Sequence, residues 1–267
     1  MNAENELLVI SFGTTSAESR KLNIESVEEA ISEVTGENWN ICRCFTSQTI
    51  INIIVRKENI RIDNISEALE KAASGGVKNL VVQPTHLMKG LEYDKLCNIL
   101  ADYAGSFTKV AVGDPLLTSD DDFTGVADAL IEASAVYEDG KTAIVFMGHG
   151  TEAAANGIYD KMQGILKSKG KADYYIGTVE AEPSLDDVIT AVNAGSYRRV
   201  VLRPMMLVAG NHAVNDMASV NDPGSWYSRF TAAGYDTVCI REGLGRLPAI
   251  RDIYACHAKK AIGSLSL

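Results

Sequence analysis

The chain has 267 residues, and 25 Lys plus Arg against 35 Asp plus Glu leave a formal net charge of −10. That balance excludes a nucleic-acid binder whose affinity comes from phosphate neutralisation by a basic surface. With 46% hydrophobic and 22% charged residues the composition is that of a globular protein, and the length suits one large α/β domain or two of about 130 residues.

The N-terminal segment Met1 to Ile10 has no basic stretch and too short an apolar run for a signal peptide, and no 18-residue apolar run for a spanning helix occurs in the sequence. The five cysteines, Cys42, Cys44, Cys97, Cys239 and Cys256, are sparse and odd in number, which fits reduced thiols and a cytoplasmic protein with no membrane partner. Short apolar, β-branched runs then recur along the chain. In order they are Leu7 to Phe12, Trp39 to Phe45, Asn79 to Gln83, Lys109 to Val112, Thr142 to Met147, Tyr174 to Ile176, Arg199 to Arg203 and Thr237 to Ile240. Between them the period becomes helical, as where Ile24, Val27, Ile31 and Val34 share one face. Continuous apolar strands alternating with helices predict parallel sheets covered on both faces.

The strands fall into two sets of four around the polar turn Glu138 to Lys141. Val9 to Thr14 resembles Val145 to Thr151, and Leu80 to Pro84 with Gly90 resembles Val200 to Pro204 with Gly210. The expected fold is therefore α/β, with an N-terminal lobe over residues 1–138, a C-terminal lobe over 139–267 and a cleft between them.

Ligands in open parallel sheets bind at the carboxyl ends of strands. His86, His149 and His212 all follow such ends, so they are expected to face one crevice. The flanking glycines of Gly148-His149-Gly150-Thr151 permit close backbone approach. That segment has neither the Gly-Lys-Ser/Thr ending of a phosphate loop nor the three glycines of a dinucleotide turn; helix capping by His149 is the plain alternative. In Gly177 to Pro183, Pro183 fits the first turn of a helix with Glu182 near its N-cap, which accounts for Glu182 and leaves Glu180 as the functional carboxylate. Two imidazoles and one carboxylate suit a borderline divalent ion and leave coordination positions open. The apolar stretch Met205 to His212 offers a flat wall for a planar ligand, or its methionines fill core gaps. Cys42 and Cys44 are read as structural, Ser119 to Asp122 as an acidic helix start, and His257 as structural or exposed.

The chain resembles the anaerobic cobalt chelatase (sirohydrochlorin cobaltochelatase) family of cobalamin biosynthesis, in the class II chelatase group. The residues carrying the likeness are Leu8 to Thr14, Phe45 to Ser47, Gln83 to His86, Phe146 to Gly150, Pro204 to Ala218, Ser225-Trp226 and Gly243 to Gly245. Asn211 and Gln48 depart from the family pattern, which has Asp and Arg there. The resemblance implies two similar α/β lobes, with the last helix packed back on the first. It places the cobalt ligands on His149, Glu180 and His212. The implied reaction, catalysed by a lyase of the metal chelatase type, inserts Co²⁺ into sirohydrochlorin and releases two protons. Co²⁺ is its substrate metal, and no organic cofactor is expected. His149 is the expected proton acceptor with Glu92 accessory, because an imidazole near neutral pKa is the natural base. Phe12, Gly13, Thr14, Thr15, His86 and Met206 are expected to touch the tetrapyrrole, and Arg20, Lys21, Lys89 and Arg203 are alternatives for its carboxylates or plain surface charges. An iron or nickel chelatase and a non-catalytic metal or haem carrier are the competing readings, and the oligomeric state is open between monomer and homo-oligomer.

Overall fold

Residues 4–265 are described in a computed structural model. They divide into two units, one made of residues up to Thr118 together with the chain from Pro248 onward, the other of Ser119–Leu247.

The first unit is built on β1 (Asn5–Ser11), β2 (Asn40–Phe45), β3 (Asp63–Asn64), β4 (Asn79–Pro84) and β5 (Lys109–Val112), all parallel, in the order β3-β2-β1-β4-β5. The four apolar runs expected here each form a strand. β3 is an addition to the expected four, a two-residue edge pair that carries no apolar signature. It forms because Asn64, the N-cap of the next helix, is extended and lies beside Phe45 of β2. The helices are α1 (Ala17–Ser19), α2 (Ser26–Thr35), α3 (Gln48–Glu58), α4 (Ile65–Ser74) and α5 (Leu91–Tyr103). A π-helical stretch, Arg20–Glu25, joins α1 to α2. Leu8 and Ile10 point to one face, where they pack with Ile65, Leu69, Leu96 and Leu100 of α4 and α5. Ile24, Val27 and Ile31 are buried as expected, but Val34, at the end of that stripe, is 40% exposed.

The second unit opens with α6 (Asp120–Ser134) and continues through β6 (Thr142–Gly148), α7 (Ile158–Ser168), β7 (Tyr174–Thr178), α8 (Leu185–Asn193), β8 (Arg199–Pro204), α9 (Trp226–Ala232) and β9 (Asp236–Cys239). Its sheet is parallel in the order β7-β6-β8-β9. β6 is buried along its whole length, as a central strand covered on both faces must be. Val145 and Met147 pack with Val188, Val192, Trp226 and Phe230 on one face. The turn at Glu138–Lys141 lies inside this unit, between α6 and β6, and α6 packs on α7. Ser119 caps α6 in a reciprocal pair with Asp122, so the acidic run is a helix start. The final helix, α10 (Pro248–Ser264), belongs to the first unit and lies on α2, β4 and β5. There Tyr254 donates to the Thr85 carbonyl at 2.8 Å, and His257 Nδ1 lies 3.0 Å from the Asp114 carbonyl oxygen, a structural place for His257. Among the described residues, no helix is long and apolar enough to cross a membrane.

Candidate metal centre

Three strand ends of the second unit build the site. β6 pairs with β7 up to Gly148, and the pairing runs on past both strands: Val179 donates to the Gly148 carbonyl at 3.1 Å and Glu180 to the His149 carbonyl at 2.9 Å. His149 and Glu180 are thereby set side by side by main-chain hydrogen bonds alone. Both flanking glycines are sterically required. A Cβ on Gly148 would stand 2.2 Å from the Tyr159 ring, and Gly150, at φ +86°, would place one 2.8 Å from the Ala181 amide nitrogen. The third residue, His212, comes off the loop after β8 and begins the short π-helical turn Ala213–Met217.

His149 Nδ1 lies 3.5 Å from Glu180 Oε2, with the side chains 46% and 54% exposed. The His149 and His212 rings meet edge to face, 4.6 Å apart and inclined at 83°. One ligand atom from each of His149, Glu180 and His212 lies within 4.8 Å of the others. The two rings are also oriented from behind. His212 Nδ1 is 2.7 Å from Asp216 Oδ2, and His149 Nδ1 is 3.0 Å from the Gly150 carbonyl oxygen. Each contact suits an Nδ1–H donor, which leaves the Nε2 lone pair for a metal. Two imidazoles and a carboxylate match a borderline divalent ion, and their exposure leaves positions for a second ligand set. Asp216 is a residue that strand-end placement does not single out; its spacing of i, i+4 from His212 on a helical turn is the signal that finds it.

The remaining expected residues are distributed as follows. His86 follows β4 with both ring nitrogens closed off from solvent and without a hydrogen-bond partner. Burial pushes its pKa down to about 4, with Glu92 opposing the shift, so the ring is neutral at neutral pH. Glu92 stands in the first turn of α5, 2.6 Å from Lys95 Nζ. Phe12 is 50% exposed, and Gly13, at φ +97°, sits against the Phe45 ring. Thr14 is buried, its hydroxyl accepting from the Ser16 amide, while Thr15 is exposed. Met206 is half-buried against the core of the second unit, in keeping with the gap-filling alternative.

Three of the four candidates for substrate carboxylates are already engaged. Arg20 is buried and bonds Glu58 and the Thr14 carbonyl, Arg203 is buried against the Ala133 carbonyl and Glu242, and Lys89 pairs with Asp114 at 2.8 Å. Burial and these partners hold Arg20 and Arg203 as structural cations, whereas Lys89 is half exposed in a surface ion pair, and Lys21 is exposed without an ion pair among the described residues. Pro183 precedes the helix it was expected to begin. Ser184 is the N-cap of α8, and Glu182 accepts from the Ser184 amide at 2.8 Å, so Glu182 keeps a structural role. Cys42 and Cys44 are free thiols in β2, and burial raises the Cys42 pKa to about 12.

The suspected duplication is visible in the main chain. In the first unit Thr46 donates to the Ser11 carbonyl (2.9 Å), Ser47 to Phe12 (3.4 Å) and Thr85 to Ile10 (2.8 Å). In the second, Val179 donates to Gly148, Glu180 to His149 and Met205 to Met147 in the same pattern. Phe12 therefore occupies the place of His149, and Ser47 that of Glu180. Leu116 donates to His86 as Leu244 does to Met206, both within 2.9 Å, which equates His86 with Met206; Glu92, six residues on, then matches His212.

Two parallel α/β units, one bearing a His-Glu-His cluster at its strand ends, define a chelatase-type protein. The solved structure of SirB from Bacillus subtilis with Fe³⁺ has the same fold, with a TM-score of 0.63 at 12% identity, covering 97% of this chain and 96% of that one. At the level of sequence, residues 5–263 match the family described as Cobalt chelatase (CbiK). A sirohydrochlorin cobaltochelatase of Salmonella typhimurium is 34% identical over 256 residues, 96% of both chains. Sirohydrochlorin cobaltochelatase CbiKC of Nitratidesulfovibrio vulgaris is 30% identical over 210 residues, 77% of this chain and 73% of that one. The chain belongs to the cobalt chelatase (CbiK) family.

Proposed function

We propose that this protein inserts Co²⁺ into sirohydrochlorin in cobalamin biosynthesis, with His149, Glu180 and His212 as the residues that deliver the metal. The observation that carries this reading is the convergence of those three side chains, one ligand atom each within 4.8 Å. The names of the relatives supply the substrate.

The reaction exchanges one Co²⁺ for two pyrrole protons, with no change of oxidation state, so it calls for ligands and bases and for no organic cofactor. Once the metal has gone to the ring nitrogens, the lone pairs that held it are free. His149 can then take one of the released protons, which gives a single residue both roles in sequence. Glu92 is the accessory acceptor in this reading, and a carboxylate paired with an exposed lysine can exchange its proton with water. Bending the macrocycle so that its nitrogens face the metal draws on binding energy elsewhere on the ring. We assign that contact to Phe12, Gly13, Thr14, Thr15 and His86 of the first unit and to Met206 of the second. The free thiols at all five cysteines suit a cytoplasmic setting.

The test is metal insertion followed by the change in tetrapyrrole absorbance, with Co²⁺, Fe²⁺ and Ni²⁺ as alternative metals. The wild-type protein is expected to accelerate Co²⁺ insertion and His149→Ala to abolish that acceleration. Normal insertion by His149→Ala would remove His149 from both roles. A wild-type rate no faster than the spontaneous one would identify a carrier instead.

A further inference from the structure

His149 and Glu180 are both about half exposed, so packing does little to hold them, and their separation depends on the two turns that carry them. The last strand-type hydrogen bond between those turns is the one from Glu180 to the His149 carbonyl. Beyond it no further main-chain hydrogen bond links the turns among the described residues, and one side chain hydrogen-bonds to both. Asn156 Oδ1 accepts from the Thr151 amide at 3.1 Å, two residues after His149, and Asn156 Nδ2 donates to the Glu182 carbonyl at 2.6 Å, two residues after Glu180. These partners fix the orientation of the amide, because an N–H requires the oxygen and a carbonyl requires the NH₂.

Asn156 is itself anchored. It lies on the one-turn helix Ala154–Gly157, its amide donating to the Ala153 carbonyl at 2.9 Å, and the Ala153 amide returns to the Thr151 hydroxyl at 3.2 Å. That turn leads into α7, whose buried Tyr159 accepts from the Gly150 amide at 3.3 Å. Tyr159 of α7 and Asn156 of the turn before it thus hold the His149 turn at two successive amides, and Asn156 holds the Glu180 turn as well.

We propose that Asn156 is a positioning residue that sets the spacing of the His149 and Glu180 ligands. The proposal rests on the metal-centre reading above. Only a side chain carrying both an acceptor and a donor at this reach links the two turns, and a ligand pair loosened by an ångström binds and releases its metal less well.

The experiment uses the whole chain, Co²⁺ alone, and two variants, Asn156→Ala and Asn156→Asp, with Co²⁺ affinity and the visible Co²⁺ absorption envelope as readouts. Asn156→Ala, which breaks both links, is expected to weaken Co²⁺ binding about 10-fold, the low end for residues that orient metal ligands, and to shift the envelope. Asn156→Asp keeps the acceptor, loses the donor and sets a carboxylate against the Glu182 carbonyl. Through its charge alone it would tighten Co²⁺ binding, so weaker binding in this variant is the signature of positioning. Wild-type affinity and spectrum in Asn156→Ala, or tighter binding in Asn156→Asp, would overturn the proposal. Co²⁺ binding as tight in His149→Ala as in the unaltered protein would instead refute the metal centre, so the two failures are distinct.

Discussion

Replacing Asp216 by alanine is expected to weaken Co²⁺ binding while leaving the fold in place. Asp216 Oδ2 lies 2.7 Å from His212 Nδ1, four residues earlier on the same helical turn. A hydrogen bond to a charged group contributes about 1.5–3 kcal/mol, but these side chains are 32% and 40% exposed, so water competes and the lower part of that range applies. A loss of about 1.5–2 kcal/mol corresponds to roughly 10- to 30-fold in dissociation constant. Two effects combine in it: Nδ1 no longer has a fixed proton, so Nε2 spends part of its time protonated, and a negative charge near the metal is gone. Asp216→Asn removes the charge but can still accept the Nδ1 proton, and its loss is expected to be smaller than that of Asp216→Ala. Titration of the purified variants with Co²⁺, followed by visible absorbance, measures the effect, and thermal unfolding of the metal-free proteins checks the fold. Wild-type affinity in Asp216→Ala would refute the idea that this carboxylate orients His212.

Gly150→Ala forces an alanine into φ +86° and drives its Cβ against the Ala181 amide nitrogen, 2.8 Å away. The dihedral alone costs about 1–2 kcal/mol; urea unfolding should show at least that loss, and Co²⁺ titration should show weaker binding because the Glu180 turn must retreat. His86 gives a pH dependence. Its folded pKa of about 4 lies below the unfolded value of about 6.5, so the stability it confers is complete above pH 6.5 and is lost as pH falls toward 4. The loss amounts to about 3 kcal/mol by linkage. Urea unfolding at both ends of that window should show a shallower pH dependence in His86→Phe than in wild type, and equal slopes would contradict the assignment.

Eight of the nine strands among the described residues were legible because each carries a short apolar, largely β-branched run between helical stretches, most continuous in the buried strands β1, β4, β6 and β8. β3 was not, because Asp63 and Asn64 pair with β2 only through the geometry of the helix cap that follows. Val34 continues a helical stripe in sequence but is exposed at the end of α2, the helix that packs against α10. In the site, His149 and His212 were marked by their place after strands, and Glu180 by having no local structural task, unlike Glu182. The contacts of Arg20 and Arg203 were hidden because their partners, Glu58 and the Ala133 carbonyl, lie far away in the chain. Asn156 was hidden because a loop asparagine has many ordinary uses, and only the approach of Thr151 and Glu182 distinguishes this one.

The return of α10 to the first unit bears on the order in which the protein assembles. The second unit, Ser119–Leu247, is continuous in sequence and has every residue of its core once Leu247 has left the ribosome. The first unit was begun earlier but lacks Ile250, Tyr254 and Ala258, all fully buried, until the last helix is made. Its β4 and β5 keep an uncovered apolar flank through that interval, which is the condition that favours aggregation and chaperone capture in chains of this size. The unit translated first is therefore the one completed last, whereas the His149, Glu180 and His212 cluster stands on the unit that finishes ahead of it.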